Sequence, residues 1–395
     1  MSWPTCVRAL SASLALSLAF SDAALCGQSG GTQSNQTPKL IPRTHEEREA
    51  RFQAEHRIVL NVEVTDGAGS PIAGLKAGDF TLIQDRQLRS IASFRPVNGE
   101  SVPVPPRVML LLDAANNSSR DIVNDRKGIE SFLRQSPEPL AYPTSIAVLS
   151  DGEIRSAPPT RNRGALLDQL TDLSSRLHPV ACVNDVSPNE TMRAVWMPGT
   201  VSGVDSTKEL NCLNQRFITS ISALTRFAKL QIDIPGRVIL IWMGSGWPLL
   251  NNKQFRPDDE SVKAGFFANL VQVSSALREA QITLDVLLPS SLFRTPESRS
   301  EHDDAFFNGV PNQDEVTAAS LGLQALAHQS GGQILIGAKN IPSGISACMA
   351  DAKSYYELTF DSPTAAQFGE YHSLQVKVEK PGLTVRTNTV YYAEQ

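Results

Sequence analysis

The stretch PPRVMLLLDAANNSSRD, Pro105 to Asp121, holds the residues best placed to do chemistry. An apolar run, Val108 to Leu112, stops on Asp113, and Asn116, Asn117 and Ser118 follow at once. A buried strand that ends on a carboxylate presents it at the edge of a sheet, where a metal ligand or a catalytic acid would stand. Three readings of Asp113 are open: a cap accepting N–H groups of the following turn, a weak divalent-metal ligand, and a catalytic acid. A second candidate is MGSGWP, which sets Ser245 in a tight turn after another apolar run, with Trp247 beside it. The turn does not fit the G-x-S-x-G nucleophile pattern, and the plainer reading is the end of a central strand. His178, His302 and His328 have no carboxylate-bearing motif beside them. There is no C-x-x-C pair, dinucleotide fingerprint or phosphate loop. A hydrolase working through Asp113 or Ser245 is the rival to a binding protein, and the sequence names no base for it.

Charge and composition narrow the classes. The net charge of −5, without a Lys/Arg cluster or an interleaved aromatic-basic face, argues against nucleic acid as a partner. The first residues, MSWPTCVRALSASLALSLAFSDAALCGQSG, run from a cation at Arg8 through a short apolar core to small residues. That order is a secretory signal, assigned to residues 1–26, with cleavage after Ala23 or Cys26. The apolar core is too short for a comfortable membrane span, and no later segment is long and apolar enough. The expected location is therefore periplasmic or extracellular, with cysteines in an oxidising compartment. Cys182 and Cys212 bracket one polar segment, so a disulfide between them is the preferred pairing. The alternative is that these and Cys348 are three buried thiols.

The elements that must position these residues follow from period and punctuation. Residues 27–56 read as a polar, charged leader. From Arg57 the period is two: RIVLNVEVTD is a half-buried strand, and DFTLIQD and RSIASFRPV are two more. After the Pro-rich junction ESVPVPP, strands alternate with helices. RVMLLLD, TSIAVLSDG, GRVILIWMG, ITLDVLLP and QILIG are strands. SSRDIVNDRKGIESFLRQ, NRGALLDQLTDL, QRFITSISALTRFAKL, SVKAGFFANLVQVSSALREA, DEVTAASLGLQALAHQSGG and IPSGISACMADAKS are helices. Asp151 in LSDG is a turn residue, and residues 176–212 form a polar excursion. The period returns to two in YYELTFD, EYHSLQVKVEK and LTVRTNTVYY. Strand–helix alternation predicts a mostly parallel sheet with helices on both faces. The flanking strands, 57–102 and 351–395, are too few on either side to stand alone. The simple solution is one β-sandwich with the α/β domain, 103–350, inserted in it.

Four segments in order carry a family resemblance. LNVEVTDGAGSPIAGLKAGDFTLIQDRQLRSIASF, PGRVILIWMGSGWPLL, ALAHQSGGQILI and YYELTFDSPTAAQFGEYHSLQVKVEKPGLTVRTNTVYY resemble the opening module, central strand, TGG-type strand start and closing module of acidobacterial von Willebrand factor A-related proteins. The resemblance implies a von Willebrand A-type fold with a metal-ion-dependent adhesion site of the form D-x-S-x-S. Hard oxygen ligands there suit Mg²⁺, and one position is left for a partner's carboxylate. Asp113 matches the Asp, Ala115 stands at the first Ser and has no ligand atom, and Asn117 stands at the second. Gly244 and Ser245 stand where the Asp after the central strand is expected. The resemblance thus implies a degenerate site: no cofactor, or weak Mg²⁺ or Mn²⁺ on Asp113 and Asn117. The expected function is non-enzymatic binding of a protein partner at the sheet's C-terminal edge. That edge comprises Asn116, Ser118, Ser245, Trp247 and the loops 113–119, 176–212, 244–256 and 290–313. A structural part in an envelope or secretion assembly, through sandwich strand edges, is a further alternative.

Overall fold

A computed structural model of the chain describes residues 57–175, 177, 206–244, 260–288, 305–316, 322–336 and 340–393. The expected signal and leader, Cys182, Ser245 and Trp247 lie outside these residues. The N-terminal strands are β1 (Arg57–Thr65), β2 (Phe80–Gln84), β3 (Gln87–Arg89) and β4 (Ser93–Asn98). The α/β region has β5 (Arg107–Asp113), β6 (Thr144–Ser150), β7 (Glu153–Ser156), β8 (Val238–Met243), β9 (Ile282–Leu288) and β10 (Ile334–Ile336). The chain closes with β11 (Ser354–Asp361), β12 (Glu370–Val378), β13 (Thr384–Arg386) and β14 (Val390–Ala393). The helices are α1 (Ser119–Gln135), α2 (Arg163–Ser175), α3 (Ser206–Gln231), α4 (Glu260–Glu279), α5 (Leu323–Gln329) and α6 (Ile341–Met349).

N- and C-terminal strands pair with each other. One antiparallel sheet has the order β13-β1-β11-β4 and the other β14-β12-β2-β3. Ile58, Leu60, Val62 and Val64 alternate along β1 into the core between them, with Phe80, Leu82, Tyr356, Leu358, Phe360, Leu374 and Tyr391. Phe80 meets Phe94 and Tyr356 across that core, at ring separations of 5.4 and 5.0 Å. The other face of β1 was expected to meet water. Instead Asn61 and Glu63 are buried as well, because the α/β region covers them.

The six-stranded sheet has the order β10-β9-β8-β5-β6-β7. Its strands pair in parallel except β7, which runs antiparallel to β6. β8 is buried at every residue, the continuous apolar run that a strand covered on both faces requires. α1, α2 and α6 bury Ile129, Leu166 and Ile345 on one face. α3, α4 and α5 bury Leu224, Leu270 and Leu326 on the other. The order reverses between β5 and β8, so the ligand crevice of a doubly wound sheet falls beyond Asp113 and Met243.

Several boundaries depart from the sequence reading. β3 and β7 are additional, each short and polar and so invisible to a hydrophobic period. Asp151 and Gly152 form the turn joining β6 to β7, with φ of 50° and 77°, the backbone of a two-residue hairpin. α3 starts at Ser206, so the last seven residues of the polar excursion 176–212 are helical. Of the helix expected over 314–332, the described residues hold α5, 323–329, and a 3₁₀ turn at Gln313–Glu315, and residues 317–321 lie outside the described residues. LTVRTNTVYY is two strands: β13 pairs with β1, and β14 with β12 in the other sheet.

Candidate functional site

Asp113 ends β5 with its side chain fully buried. Its Oδ1 accepts from the backbone N–H of Ala115 at 3.0 Å and of Asn116 at 2.9 Å. The Asn116 amide nitrogen donates to Oδ1 at 3.0 Å and to Oδ2 at 2.8 Å. The Trp242 indole N–H donates to Oδ2 at 3.0 Å. Burial raises the carboxyl's pKa, and the donors from Asn116, Trp242 and Ala115 oppose that rise. Both oxygens therefore point inward and serve as a cap for the turn after β5, as the first of the three sequence readings has it.

Asn116 also donates to Ser220 Oγ on α3 at 3.0 Å, tying the turn to that helix. Asn117 turns the other way and is buried. Its amide nitrogen donates to Asp125 Oδ2 at 3.2 Å and to the Met243 carbonyl at 3.4 Å. A Cβ on Gly244 would stand 2.1 Å from that nitrogen, and Gly244 has φ +140°. Only glycine admits both the close approach and that backbone. Ser118 is the N-cap of α1: its Oγ accepts from Asp121 N at 3.2 Å and donates to Asp121 Oδ2 at 2.7 Å. The structure thus brings Asp113, Asn116, Asn117 and Ser118 together at the crevice. Cys212 lies half-buried on α3, and its expected partner Cys182 is outside the described residues, as are Ser245 and Trp247.

Three contributors were missed from sequence. Trp242 stands in the apolar run of β8, where sequence alone gives it no role beyond packing, yet it is the indole donor to Asp113. Its pairing opposite Leu111 on β5 puts it within reach of Asp113, two residues further along the same face. Ser220 supplies the anchor for Asn116. Asp125, four residues after Asp121 on α1, is half-buried at the same crevice. Burial, then Asp121 and Asp113, push its carboxyl up to about 7. The i, i+4 spacing of the two acids on one helix face was the available signal.

The adhesion-type metal site implied by the resemblance does not fit these residues. An octahedral Mg²⁺ shell needs outward-facing hard oxygens. Asp113's oxygens take five N–H contacts, and Ala115 offers only its backbone. Among the described residues no group of three or more His, Cys, Asp or Glu side chains is placed to hold a metal ion.

No family model matches the chain, and no curated protein matches it. Among solved structures the chain is similar to the human COPII-coat protein Sec24c, with 10% identity and TM-score 0.29, over 74% of this chain and 44% of that one. It is also similar to the three N-terminal domains of the type V pili tip protein Mfa5 from Porphyromonas gingivalis, with 8% identity and TM-score 0.27, over 86% and 67%. The chain spans less than half of the Sec24c chain, and likenesses this low carry no argument here. Among the described residues no helix is long and apolar enough to cross a membrane.

Proposed function

We propose that this chain is an exported, non-enzymatic binding protein of von Willebrand A type, periplasmic or extracellular. On this reading it engages a protein partner at the C-terminal edge of its parallel sheet without a bridging metal. The observation that carries the reading is the inward coordination of Asp113 at the switch-point crevice. The position where an A-type domain would hold its ion is filled by N–H donors from Ala115, Asn116 and Trp242. The strand order with one antiparallel edge and the four sequence segments in order support the family assignment. A disulfide between Cys182 and Cys212 would fasten the excursion 176–205 to α3 beside that edge.

The test is a calorimetric titration of the purified chain with Mg²⁺ and with Mn²⁺, beside Asp113→Asn. The expected result is no heat, and no shift in melting temperature at millimolar ion, for either protein. Saturable binding that Asp113→Asn removes would overturn the degenerate site. A photo-crosslinking residue at Ser118 should then capture a defined protein that the same residue at Leu88, on the sandwich, does not. Equal capture from both positions would overturn the choice of edge.

A further inference from the structure

We draw no further inference here: the strongest candidate, the exposed apolar surface patch of Leu230, Ile232 and Ile234 around the end of α3, with Val104 beside it against Gly236 at the N-terminal end of the six-stranded sheet, carries nothing because nothing in the structure shows what covers it.

Discussion

Asp285→Asn should leave the protein as stable as the wild type in mild acid and make it more stable near neutrality. Asp285 is fully buried inside β9. Gln333 N donates to its Oδ1 at 2.7 Å, while its Oδ2 has no hydrogen-bond partner. It belongs to a buried cluster at the junction of sandwich and α/β region. There Arg386 on β13 donates to both Asp351 oxygens, at 2.9 and 2.6 Å. Arg237 donates to Glu63 on β1 and to Thr283 on β9. Three carboxyls thus share two guanidiniums. Burial, then Asp351, push Asp285 up to about 8 from an ordinary 3.8.

The folded protein therefore keeps a proton that the unfolded chain gives up. Stability from this group is whole below about pH 4 and is lost as pH rises through about 8, at ~1.4 kcal/mol per pH unit. From about pH 5 to pH 7 that is ~3 kcal/mol, which an amide, having no proton to lose, retains. At ~2.1 cal/mol/K per residue over roughly 350 residues, this corresponds to ~4 °C. Thermal melts of both proteins across that range are the assay. The melting-temperature difference, variant minus wild type, should widen by ~4 °C as pH rises. Glu63, also pushed up by burial, to about 7, is present in both proteins. A difference that stays constant would refute the reasoning. It would mean that Asp285 is already ionised in the folded protein and balanced by Arg237 and Arg386.

Other outcomes follow from the crevice and the chain. Asp113→Ala strands the N–H groups of Ala115, Asn116 and Trp242 in the interior and should cost ~3–5 kcal/mol in urea unfolding, with Asp113→Asn costing less. Gly244→Ala should destabilise by ~2 kcal/mol through its φ and the collision with Asn117. Adding Asn117→Ala should recover part of that loss, and additive losses would show that the two sites are uncoupled. As a test of the proposed export, N-terminal sequencing of the protein recovered from the periplasm or medium should begin at Ala24 or Gly27. Non-reducing peptide mapping should join Cys182 to Cys212 and find Cys348, buried on α6, as a thiol. A free Cys182 would exclude the pairing.

The sequence by itself determined what depends on local period and punctuation. Continuous apolar runs marked β5, β6 and β8, because strands covered on both faces have no polar side to show. Asp151 was legible as a turn residue and Asp113 as a carboxylate at a strand's end. The count of flanking strands also required a shared sandwich, since neither set could bury a core alone. Tertiary structure alone decided what depends on residues far apart in the chain. Glu63 reads as a solvent-facing strand residue until Arg237, 174 residues away, is packed on it. Trp242 reads as core until the β5–β8 register sets its indole N–H against Asp113, 129 residues earlier. LTVRTNTVYY reads as one strand until its halves join different sheets. A carboxylate's role is set by the donors around it, and no local pattern encodes which distant strand will supply them.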